Sequence, residues 1–206
     1  MTCLRMVADF YRQDSKHFEQ LSSTYQCNQS TWTIDLLHLL HQMKIPAIQH
    51  TITIGCSSTY EHHPYYQNLI DRDRERVTRL FQIEAGNVQT GTVDWEDIKK
   101  HLVEYRTPCL VLVDANQLGC CACKRNLFYR LLDRFLPILH SSYQGHYILV
   151  VGFTRNGNEE YVRYVDPGER DAFCTITRDM FDRARKAFGT DEDIVFCYPK
   201  EEKEFQ

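Results

Sequence analysis

The stretch YQGHYILVVGFTRNGNEEYVRYVDPG, residues 143–168, decides how this chain is read. Its apolar run Tyr147–Phe153 suits a buried strand. Arg155-Asn156-Gly157-Asn158 is a turn in which Gly and Asn tolerate positive φ, and Tyr161–Val165 resumes as a second strand. The hairpin opens on Gly145-His146 and closes on Asp166-Pro167-Gly168, which predicts that His146 and Asp166 meet at one end of a sheet. A carboxylate beside an imidazole orients it for general-base work, and the party such a pair lacks is a nucleophile. Two plainer readings stand beside this one. His146 is also a polar strand end able to bond a carbonyl, and Asp166 before Pro-Gly is a good turn residue because its side chain bonds the amides ahead of it.

Working outward, Leu4, Val7, Ala8 and Tyr11 recur at helical spacing, and a second short helix follows from Ser15 to Leu21 with Asp14 or Ser15 as its cap. Ser30 or Thr33 caps a third, whose buried face is Ile34, Leu37, Leu40 and Met43, and Pro46 ends it. Ala47–Ile54 reads as a strand. From His62 to Glu84 the pattern is helical again, with the alternating run Asp71-Arg72-Asp73-Arg74-Glu75-Arg76 read as a solvated face. Val93-Asp94-Trp95-Glu96-Asp97-Ile98 opens a helix reaching about Tyr105, its early acids favoured by the helix dipole. Pro108 leads into the buried strand Cys109–Val113. Residues 115–142 read as an insertion. After the hairpin, Thr177 caps a helix from Arg178 to Ala187, Gly189 stops it, and Asp193–Tyr198 is a last strand. Helices first and antiparallel strands after them predict one α+β domain over residues 1–206, with N-terminal helices packed on a mainly antiparallel sheet.

Composition excludes several classes. The 206 residues are 43% apolar and 25% charged, enough for one full core, and the net charge of -4 offers no attraction to nucleic acid or an anionic membrane. No run reaches the roughly 18 apolar residues of a membrane helix, and no leader is visible. Nine cysteines at irregular spacing, an odd number, fit reduced thiols inside a cell, cytoplasmic or nuclear, better than a disulfide framework.

A helix near the N-terminus carrying a cysteine, a histidine opening a late strand and an acid closing the next resemble the chain order of papain-like cysteine hydrolases. More closely, MTCLRMVADFY, TWTIDLLHLL, YQGHYILVVGF, DPG and FGTDEDIVFCY resemble the guanylyl cyclase domain-containing family, itself similar to the papain-like bacteriocin-leader peptidases. The resemblance implies a papain-like fold. In those relatives Asp-Cys-Gly leads into the first helix, and in the peptidases its cysteine is the nucleophile. Here Cys3 matches a second cysteine and the triplet would lie just before Met1, so the expectation is an N-terminally truncated form without its nucleophile, inactive as a hydrolase. His146 and Asp166 match the family's Gly-His and Asp-Pro-Gly.

The remaining candidates are weaker. Cys3 could replace the nucleophile, yet its neighbours Leu4, Met6 and Val7 favour a buried, inert thiol. Cys120, Cys121 and Cys123 lack paired Cys-x-x-Cys arms and read as loop thiols, and His62-His63 reads as the start of a helix. The family name suggests cyclisation of GTP, for which Asp114 and Asp166 are the strand-end acids that could hold divalent metals. No Walker or Rossmann glycine loop is present, and the expectation is a chain without cofactor or metal site. A non-catalytic module binding a protein or peptide partner is the other alternative.

Overall fold

The computed structural model describes residues 1–24, 30–56, 67–119, 143–168 and 173–200. The expected loop thiols Cys120, Cys121 and Cys123, the expected helix start at His62-His63, and most of the expected insertion lie outside the described residues.

In chain order the elements are α1 (Thr2–Phe10), α2 (Ser15–Thr24), α3 (Thr33–Gln42), β1 (Ala47–Thr51), α4 (Gln67–Ile83), β2 (Val88–Thr90), α5 (Trp95–Glu104) and β3 (Cys109–Asp114). There follow β4 (Gly145–Asn156), β5 (Glu159–Val165), β6 (Cys174–Thr177), α6 (Arg178–Arg185) and β7 (Ile194–Cys197). The described strands form one sheet in the order β2-β1-β7-β3-β4-β5-β6. All neighbours are antiparallel except β1 and β2. The fold is α+β with a mixed sheet. The short strands β2 and β6 escape the sequence reading because neither carries an apolar run long enough to show a period of two.

The sheet is buried on both faces, which is why Cys109–Val113 reads as an unbroken apolar run rather than an alternating one. On one face Leu110, Leu149, Val195 and Cys197 pack against α1, α2, α3 and α4. On the other, Val111, Ile148, Val150 and Phe196 pack against Trp95, Ile98 and Leu102 of α5 and Phe181 of α6. The N-terminal helices therefore make only one of two helical layers. Each strand's alternation sends successive residues to opposite layers.

The deciding hairpin is tighter than its sequence suggests. Asn156 pairs with Glu159, so only Gly157 and Asn158 lie between the strands. Gly157 alone takes a positive φ, of 60°, the pattern of a type II′ connection whose first position wants glycine. A register shift between Val150 and Gly152 marks a bulge in β4.

Two local expectations are corrected. Neither Ser30 nor Thr33 caps α3: Trp32 does, its backbone N–H donating to Asp35 Oδ2 at 2.8 Å. The charge run on α4 is not all solvated, since Asp73 is buried and Arg76 pairs with buried Asp35. Thr177 does cap α6, accepting the Met180 N–H at 3.4 Å. Among the described residues no helix is long and apolar enough to cross a membrane.

Candidate functional site

β4 begins at Gly145 and β5 ends at Val165, so His146 stands one residue into the first strand and Asp166 just beyond the second. Leu149 pairs with Val165. Continued toward the strand end, that register sets His146 opposite Gly168 and leaves Asp166 on the diagonal, on the same face and within side-chain reach. The structure brings them together: His146 Nε2 lies 2.9 Å from Asp166 Oδ1. The same oxygen accepts the Gly168 N–H at 2.8 Å. Asp166 thus does both things its sequence position suggests, closing the turn and holding the ring. With Nε2 facing a carboxylate, the neutral ring keeps its proton there and carries its lone pair on Nδ1. Among the described residues, no hydrogen-bond partner is found for Nδ1. Both side chains are partly open to solvent, at 28% and 15%.

Cys3 lies close by but is not joined to the imidazole. Its Sγ donates to the carbonyl of Tyr147 at 3.1 Å, and the residue is 3% exposed. Burial pushes the thiol up to about 12, the N-terminal ammonium opposes this, and the charge of Asp166 adds to it. A thiolate is the reactive form, so this cysteine is held in its unreactive state.

Asp114 ends β3 beside the start of β4. Its Oδ1 accepts from the backbone N–H groups of Asn116, at 3.1 Å, and Gln144, at 3.3 Å, and its Oδ2 accepts from Gln117 Nε2 at 3.2 Å. The Ala115 N–H donates to the Gln144 carbonyl at 2.9 Å. Asp114 therefore fastens the end of β3 to the residues leading into His146. Among the described residues no three His, Cys, Asp or Glu side chains converge as metal ligands.

A buried polar chain behind the site has no counterpart in the sequence reading. The Tyr147 hydroxyl is 3.0 Å from Thr33 Oγ1, and the Thr33 side chain lies beside Asp193. Gln49 Nε2 donates to Asp193 Oδ1 at 3.4 Å, while Gln49 Oε1 is buried without a partner among the described residues. Burial, and then the charge of Asp191, push Asp193 up to about 8. The only sequence signal was an acid placed directly before the apolar run Ile194–Cys197.

Comparison with known proteins agrees with the layout of the chain. A family model described as guanylylate cyclase matches residues 1–197. The protein named Guanylyl cyclase 1 of Arabidopsis thaliana is 29% identical over 198 residues, which are 95% of this chain and 69% of that protein. No solved structure matches the chain. With a family model spanning all but the last residues, the chain belongs to the guanylylate cyclase family.

Proposed function

We propose that this chain is a papain-like domain in which His146 and Asp166 form a base and its orienting partner for thiol chemistry, and that Cys3 is not the nucleophile they serve. The observation that carries this reading is the 2.9 Å contact between His146 Nε2 and Asp166 Oδ1, which leaves Nδ1 as the proton-accepting atom. Cys3 does not supply the thiol, because its proton goes to the Tyr147 carbonyl and burial holds it neutral. A protein or peptide is the fitting partner, and free thiols such as Cys3, Cys56 and Cys109 suit a reducing compartment, cytoplasmic or nuclear.

The test is a chain extended by Asp-Cys-Gly before Met1. A thiol there would sit at the positive end of α1, where a thiolate is favoured. Iodoacetamide labelling, followed cysteine by cysteine against pH, should show one fast site near neutral pH that His146→Ala slows. A new thiol that labels no faster than free cysteine, or that ignores His146→Ala, overturns the reading.

A second reading, cyclisation of GTP, rests on the description of the matching family and the name of the Arabidopsis relative. Divalent metals on carboxylates would supply that chemistry. The nominated acids are partly engaged by the protein itself: both oxygens of Asp114 accept N–H groups, and Asp166 Oδ1 accepts from Gly168 as it faces His146. Purified protein given GTP with magnesium or manganese should make little or no cyclic GMP. Turnover abolished by Asp114→Ala or Asp166→Ala in a folded protein would instead establish the cyclase.

A further inference from the structure

An open cavity of about 290 Å³ lies on the face of the sheet shared with α5, away from His146 and Asp166. Helix α5 uses Trp95, Ile98 and Leu102 to pack on the sheet. The helix turns a second stripe, Asp97, Lys100, His101 and Glu104, toward this cavity, and these positions share one face because they are three or four residues apart. The other wall is aromatic. Phe196 lies 4.6 Å, ring to ring, from His101 and 5.3 Å from His50. Tyr198 meets Tyr105 edge-on at 5.0 Å, and Tyr105 is 37% exposed.

The charge of this wall follows from its hydrogen bonds. Thr107 Oγ1 donates its single proton to the Cys197 carbonyl at 2.5 Å, so toward His101 Nε2, 3.1 Å away, it can only accept. His101 therefore carries its proton on Nε2 and keeps a lone pair on Nδ1. Burial lowers both histidines, His101 to about 4, so neither adds positive charge near neutral pH. The charges on the lining are then the carboxylates of Asp97 and Glu104 against the one ammonium of Lys100. An aromatic wall with a net negative rim attracts a flat ring bearing a cation, through ring stacking, cation–π attraction and the carboxylates together. The volume, near the lower end of small-ligand pockets, limits the ligand to a bicyclic ring with a short side chain.

The geometry points to a binding site for a small aromatic amine, its ring against Tyr105 and Tyr198 and its ammonium beside Glu104. This assignment is independent of the dyad and of any cyclase activity.

Tryptamine, indole and indole-3-acetate, one ring with a positive, neutral or negative arm, are titrated into the 206-residue chain and followed by ligand-observed NMR. Tryptamine should bind roughly fivefold more tightly than indole, the scale of an exposed cation–π contact, with indole-3-acetate weakest. Glu104→Gln, on an exposed residue, should narrow tryptamine's advantage over indole while leaving indole unchanged. Tyr105→Ala should weaken both, with the melting temperature recorded alongside. Absence of tryptamine binding at millimolar concentration, indole-3-acetate binding as well as tryptamine, or a preference that Glu104→Gln leaves intact would each overturn the assignment. Where Tyr105→Ala fails to fold, Glu104→Gln decides alone.

Discussion

Cys3 and Tyr147 are joined by a 3.1 Å bond from the thiol to the backbone carbonyl, which ties the first turn of α1 to the strand residue after His146. The bond spends the thiol proton on a carbonyl, and burial raises the pKa to about 12. At pH 8 the thiolate fraction is then on the order of 10⁻⁴. Cys3 should resist iodoacetamide in the native chain at pH 8 and label at an ordinary rate once urea unfolds it, as mass spectrometry of each cysteine peptide will record. Rapid labelling that depends on His146 would make Cys3 the nucleophile.

Arg76 belongs to a buried pairing with Asp35 and Asp73 rather than to a solvated face. Burial raises the pKa of Asp35 and the guanidinium opposes this, so removing the arginine leaves a carboxylate in the interior with its charge uncompensated. Arg76→Ala should cost roughly 2–4 kcal/mol in urea unfolding. Asp35→Asn in the same background should recover much of it, because Asn still accepts the Trp32 N–H. Simple additivity of the two substitutions would show that the pair is not coupled.

How much was legible in the sequence follows from which forces act locally. The hairpin, the Thr177 cap and the start of α5 at Asp94 are set by residues within a few positions of one another, and all are found in the structure. The approach of His146 to Asp166 was legible for the same reason, since one turn fixes both. The Arg76–Asp35 pair spans 41 residues, and no feature of an alternating charge run tells which arginine will find a buried acid. The chain from Tyr147 through Thr33 to Asp193 and Gln49 joins three helix or strand starts, so it exists only once the sheet order is known. Likewise β2 and β6 gain their strand character from their neighbours in the sheet.

Gly189 fills a place that no other residue can occupy without strain. Its φ is 100°, and a Cβ built there would lie 2.8 Å from the Tyr143 ring. Gly189→Ala should therefore cost about 1–3 kcal/mol in equilibrium unfolding, from the backbone conformation and the ring contact together. Adding Tyr143→Leu should relieve only the part due to the ring. A neutral Gly189→Ala would mean that this turn adjusts freely.

Asp193 makes the pH dependence of stability predictable in sign. In the folded chain burial holds its proton up to about pH 8, against an ordinary value of 3.8. Between those two values the unfolded chain has released the proton and the folded chain has kept it, so rising pH favours unfolding. The contribution is fully favourable below about pH 4, falls by up to about 1.4 kcal/mol per pH unit through the window, and levels off above about pH 8. Asp193→Asn keeps the shape and removes the titration. Its urea midpoint should equal or trail that of the wild type at pH 5 and exceed it by a growing margin at pH 6, 7 and 8. Parallel wild-type and Asp193→Asn curves across that range would mean that Asp193 is ionised in the folded chain, and the polar chain from Tyr147 would then have to stabilise a buried carboxylate.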